Sequence, residues 1–154
     1  MLQKKWKIPG LKPKHAYCEG AVYVIIAKLS EIYKLIDMFF ENDSDEVLHD
    51  LRIAVRKLRY NMEIFGNCFD KKSFFKVYKL LKNLQDLIGE GRDLDVMREK
   101  VESIGKEINA EIPQHFFDKI DSDRIIMRQK IKTELLKFKS DKKVLKYLNK
   151  GKRS

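Results

Sequence analysis

In the stretch LHDLRIAVRKLRY, residues 48–60, apolar side chains return at every third or fourth position, the period of an α-helix. At 100° per residue, Leu51, Val55, Leu58 and Met62 fall within one narrow arc, with Ala54 and Phe65 at its edge. Such an arc is a core face, and a chain built on this period folds by laying helix against helix. The same spacing continues through apolar positions 25, 29, 32, 36 and 39, although the run VYVII at 22–26 would by itself suit a strand. No segment sustains alternation at period two. The expected fold class is therefore all-α, an antiparallel up-and-down bundle of about five to six helices.

Local signals divide the 154 residues into these helices. Pro9, Gly10 and Pro13 mark an irregular basic arm, residues 1–14, before a first helix from about His15 to Phe40. Asp43 with Glu46 reads as a capping box opening the second helix, and Gly66 with Asn67 closes it. A third helix is expected over about Lys71–Ile88, with GEG at 89–91 as a turn and Asp93 capping a fourth that runs to about Glu111. A long helix near Ser122–Lys139, a short one near Val144–Leu148 and a basic tail, 150–154, complete what reads as one domain. Cys18 and Cys68 lie fifty residues apart without CxxC spacing, which suggests free thiols in a reducing cytoplasm. The N-terminus lacks the apolar run of a secretion signal, and Lys28, Glu31, Lys34 and Asp37 interrupt residues 21–40. A cytoplasmic protein with no membrane span is expected.

The net charge of +10 is unevenly spread. Residues 1–15 hold five lysines and no acid, residues 121–154 hold twelve bases against four acids, and residues 51–82 hold nine bases against Glu63 and Asp70. On the second helix His49, Arg52, Arg56 and Arg59 share a stripe roughly opposite the apolar arc. The third helix repeats the pattern, with Lys72, Lys76 and Lys79 aligned, Asn83 continuing the line, Lys82 flanking it, and Leu81, Leu84 and Ile88 facing the other way. Two antiparallel helices of this kind are expected to form one cationic wall. A solvated face is the ordinary explanation of such charge. Three features favour a ligand instead: guanidinium forks match phosphate oxygens, a histidine stands in line with them, and Glu63 is the only acid on the helix after Asp50. The stripe from His49 to Arg59 covers about 15 Å, so the ligand should be an extended polyanion.

Other chemistries find little support in these residues. His15, His49 and His115 are not spaced for metal binding, and there is no HExxH or Cys/His cluster. GxSxG, a Cys–His motif and a glycine-rich phosphate loop are absent, and the acids at 90, 93 and 95 read as capping and pairing groups for Arg92 or Arg98. No catalytic residue, metal or cofactor is expected; the chain reads as a binding protein and not an enzyme.

LHDLRIAVRKLRYNMEIFG followed by LLKNLQDLIGEGRDLDVM resembles the CHAD family, the conserved histidine α-helical domain. The family patterns H-x-x-R-x-x-x-[RK]-[RK]-L-R-[Y] and L-Q-D-x-[LI]-G-x-x-[RN]-D-L-D-V map onto His49, Arg52, Arg56–Tyr60, then Leu84–Asp86, Gly89 and Arg92–Val96. The resemblance implies a helical bundle whose basic face binds inorganic polyphosphate without catalysis. Carried over, the binding residues are His49, Arg52, Arg56, Lys57 and Arg59, with Lys72, Lys76, Lys79 and Lys82 of the third helix and Arg92 of the second motif. It further implies that Tyr60, Glu63, Gln85, Asp86, Asp93 and Asp95 form a structural network, since acids repel phosphate. Many family members carry a triphosphate-processing domain with an ExExK motif, which this chain lacks.

Typical family domains hold the unit twice around a basic groove, whereas residues 101–154 contain no second HxxR or LQDxxG. A homodimer is therefore expected, with Val22, Ile26, Leu29, Tyr33 and Phe40 widening the apolar face of the first helix. The alternatives to a polyphosphate binder are a nucleic-acid-binding helical protein using the same cations and a helical scaffold that binds protein partners. Nucleic acid would favour base-reading side chains or stacking aromatics, and Tyr60 stands only at the edge of the stripe.

Overall fold

A computed structural model describes residues 7–151, apart from the side chains of residue 145 and residues 148–151. Five α-helices follow one another: α1 Tyr17–Glu41, α2 Asp45–Ile64, α3 Lys71–Glu107, α4 Gln114–Ser140 and α5 Lys142–Gly151. A single 3-10 turn, Gly66–Cys68, separates α2 from α3, and the described residues include no strand. The all-α class and the helix count follow from the period of the apolar residues. Leu51, Ala54, Val55, Leu58 and Met62 are all buried, against Ile25, Ile32, Ile36 and Phe39 of α1, Leu81 and Ile88 of α3, and Ile131 and Leu135 of α4.

Three local expectations are corrected. The N-cap of α2 is Ser44, whose Oγ accepts from the Val47 N–H at 3.3 Å, and not Asp43. Asp43 is drawn off by α4, where Lys132 Nζ lies 2.9 Å from its carboxylate. The second correction is that Gly89 and Gly91 make no turn, because α3 runs through both without a break. Two glycines inside a helix cost roughly 0.5–1 kcal/mol each against alanine. Gly91 explains the tolerance: it is buried where α3 crosses α4 and α2, and a Cβ there would lie 2.7 Å from Ile131 Cδ1 and 3.2 Å from Leu48 Cδ2. The third is that Cys18 and Cys68 are joined in a disulfide, with their Cα atoms 5.1 Å apart. It ties the start of α1 to the 3-10 turn, beside a hydrogen bond from the Tyr17 hydroxyl to the Ile64 carbonyl at 3.3 Å.

The arm turns back on α1. Gly10 adopts φ +78°, a conformation that suits glycine, and lies against Tyr23, while the ring of His15 stacks on Tyr23 at 4.8 Å. Residues 1–6 of the expected arm, and residues 152–154 of the expected tail, lie outside the described residues.

Lengths set the shape of the bundle. Hydrogen bonds place Arg59 of α2 level with Tyr78 and Gln85 of α3, and the start of α2 at Asp45 level with Arg92. Beyond Asp95, α3 continues for twelve residues to Glu107, about 18 Å, before α4 returns alongside it. There α3 and α4 form a two-helix hairpin past the ends of α1 and α2.

Candidate functional site: a cationic row and the network that fixes it

The apolar arc of α2 is anchored in the core, so the opposite side of the helix must face solvent. His49, Arg52 and Arg56 occupy that side, all exposed and none with a side-chain hydrogen bond or ion pair among the described residues. Arg52 and Arg56 stand one turn apart on the open face. His49 shares a shallow depression with Asp45, Glu46, Asp50, Arg92 and Glu99. Acids therefore offset the positive charge at the His49 end of the row more than at Arg52 and Arg56.

Arg59 differs from its neighbours in the stripe. Its Nη1 donates to Gln85 Oε1 at 2.8 Å and its Nη2 to the Tyr78 hydroxyl at 2.9 Å. The Tyr78 hydroxyl in turn donates to Glu63 Oε1 at 2.6 Å. These bonds join α2 to α3 at one level and set their register. They also occupy both amino groups of Arg59, leaving a buried Nε without a hydrogen-bond partner among the described residues.

The α3 lysines stand at different angles to this row. Tyr78 and Gln85 mark the side of α3 that faces α2. By helical geometry Lys82 lies about 50° around the helix from that side, Lys79 about 110°, and Lys72 and Lys76 farther still. All four are exposed and without ion-pair partners among the described residues. Lys82 thus flanks the α2 row, while Lys79, Lys72 and Lys76 lie progressively farther around α3. Lys57, exposed on α2, stands about 120° from the stripe and is not in line with it.

Arg92 belongs to a different assembly. Its Nη1 donates to the Asp45 carbonyl at 3.3 Å and lies 3.5 Å from Asp95. Asp95 is fully buried, and Arg124 Nε reaches its Oδ1 at 2.9 Å while Arg128 Nη2 reaches its Oδ2 at 3.0 Å. The same two arginines hold Asp45 Oδ1 at 2.8 Å each. Arg98 pairs with Asp121 at 2.7 Å and lies over the Phe117 ring. The Arg98 hydrogen bond holds the Asp121 carboxyl below its ordinary range, and a Lys132 hydrogen bond does the same for Asp43. This cluster clamps α4 to α3 and to the start of α2.

The expected motif network is therefore divided. Glu63, Gln85 and Asp95 are structural partners, whereas Tyr60, Asp86 and Asp93 are exposed and have no side-chain partner among the described residues. Arg124 and Arg128 escaped the sequence reading. Their i, i+4 spacing was visible, but only the topology of α4 pairs them with Asp45 and Asp95. The breadth of α1 is partly consumed within the chain: Val22 and Leu29 are core residues and Tyr33 packs on Phe138, while Ile26 and Phe40 remain exposed. Among the described residues no cluster of His, Cys, Asp or Glu is placed to hold a metal, and no helix is long and apolar enough to cross a membrane.

The family model described as CHAD domain matches residues 10–102, well over half of the chain, including all of α2 and α3 up to its last five residues. No curated protein and no solved structure matches the chain.

Proposed function

The chain belongs to the CHAD family, and from that premise we propose that it binds inorganic polyphosphate along α2, without catalysing a reaction. The observation that carries the proposal is the pair Arg52 and Arg56, exposed one turn apart with no side-chain partner among the described residues, on a helix whose register is fixed by Arg59. Guanidinium groups held in this way meet successive phosphates with two donors each. His49 extends the row at one end, and Lys82, with Lys79 farther around α3, flanks it at the level of Arg59. Lys72, Lys76 and Lys57 add charge from neighbouring faces. Arg59 and Arg92 serve by holding the helices in place.

Tyr60, 54% exposed at the edge of the row, favours a second reading in which a nucleic-acid base stacks on its ring. Competition between long-chain polyphosphate and single-stranded DNA at equal phosphate concentration separates the two. Polyphosphate should displace the DNA, and replacing Tyr60 with alanine should leave that order unchanged. Tighter binding of DNA, lost on Tyr60→Ala, would establish the second reading in place of the first.

A further inference from the structure

The hairpin that α3 and α4 form beyond α1 and α2 exposes an apolar row. Met97 is 47% exposed, Ile104 51% and Ile108 65%, and Val101 between them is half-buried. Their spacings of four, three and four residues are those of the core positions of a coiled coil, and a row of this kind places its side chains on one narrow seam. Within α3 that seam lies about 90° or more from the side packed on α4, so the intrachain fold does not cover it.

We propose that this seam joins two copies of the chain, α3 lying antiparallel to α3 of a second copy about a twofold axis. The spacing is symmetric about its own midpoint. A twofold through that point sets Met97 against Ile108 of the second copy, and Val101 against Ile104, so that every apolar residue in the row meets another. Lys100 and Glu107 flank the seam on the same side, both exposed and without ion-pair partners among the described residues. In an antiparallel pair flanking positions of one kind face each other, which brings Lys100 of each copy to Glu107 of the other. Charge and apolar pattern thus select the same register. The opposite flank is occupied by Arg98, already held by Asp121, and by Gly105, buried against Ile112 of the same chain, so neither offers a competing charge pair. Such a seam, about 16 Å long, falls at the small end of specific interfaces, so the dimer should form and dissociate with concentration.

Light scattering of the full chain tests the proposal, with circular dichroism to confirm that each variant is folded. The wild-type chain should approach twice its 18.3 kDa mass as concentration rises. Ile104→Glu should keep it a monomer. Lys100→Glu and Glu107→Lys should each weaken the dimer, and the two together should restore it, because the exchanged charges meet across the axis. A monomer at every concentration would overturn the proposal, as would a dimer indifferent to Ile104→Glu. So would a double charge reversal no more dimeric than either single change.

Discussion

Replacing Asp95 with alanine removes the acid at which three arginines from two helices converge. Its side chain is 0% exposed, while those of Arg128 and Arg124 are 9% and 24% exposed. Truncation leaves these guanidinium groups in the fold with one carboxylate fewer, and breaking a buried ion pair on one side costs about 3–5 kcal/mol. Asp45 remains to hold both arginines and is itself 35% exposed, which places the expected loss near the low end, about 3 kcal/mol. Asparagine keeps the shape and one acceptor and should lose less, about 1–2 kcal/mol. Urea unfolding followed by circular dichroism gives the change directly, provided the slope of the transition is unaltered. Asp93→Ala provides the contrast: an exposed acid in the same motif, without a side-chain partner, should stay within about 0.5 kcal/mol of the parent. Asp95→Ala costing no more than Asp93→Ala would refute the assignment of Asp95 as the organising charge.

Gly89 and Gly91 should respond in opposite directions. No atom lies within reach of a Cβ at Gly89, so alanine there should raise stability by about 0.5–1 kcal/mol, whereas valine at Gly91 must displace Ile131 and should lower it by about 1–3 kcal/mol. A loss of stability in Gly89→Ala would mean that the segment is a turn after all. Reduction of Cys18–Cys68, which closes a loop of 50 residues, should lower stability by about 4 kcal/mol on the chain-entropy account; thermal melts with and without a thiol reductant that coincide would contradict it. Asp43 and Asp121 have lower pKa values folded than unfolded, so their contribution is complete above the ordinary value of 3.8 and is lost as pH falls through the folded values below it. Asp121→Asn should therefore flatten the fall in melting temperature as pH drops below about 4, and an unchanged fall would dismiss that contribution.

What was legible in the sequence was whatever a single helix determines. The arc of Leu51, Val55, Leu58 and Met62 fixes which side of α2 is buried, and so which side carries Arg52 and Arg56. Contacts between helices were not legible in the same way. Arg59 looks like its neighbours along the chain, yet Tyr78 and Gln85 claim it because α3 crosses at that level. Likewise the glycines at 89 and 91 carry the composition of a turn, and only the approach of Ile131 gives Gly91 a reason to sit inside a helix. The disulfide was missed for a related reason, since fifty residues of sequence say nothing about where two hairpin ends meet. The exposure of the α3 lysines is legible in their spacing, but which side of α3 meets α2, and so how far Lys72 and Lys76 stand from the α2 row, is not written in either helix alone.

The central claim is that phosphates are held in register by the α2 row and are not merely attracted by net charge. The most direct measurement is the affinity of the full chain for long-chain polyphosphate across a range of salt concentrations, for the parent and for Arg52→Gln with Arg56→Gln. By the rule for flexible single-stranded polyanions, the log–log slope changes by about 0.7 for each phosphate neutralised. The double variant should bind more weakly, with a slope shallower by about 1.4, while its unfolding transition stays in place. A variant lacking residues 152–154 should lose far less. Equal losses from the tail and from the row, or a slope indifferent to Arg52 and Arg56, would contradict the account.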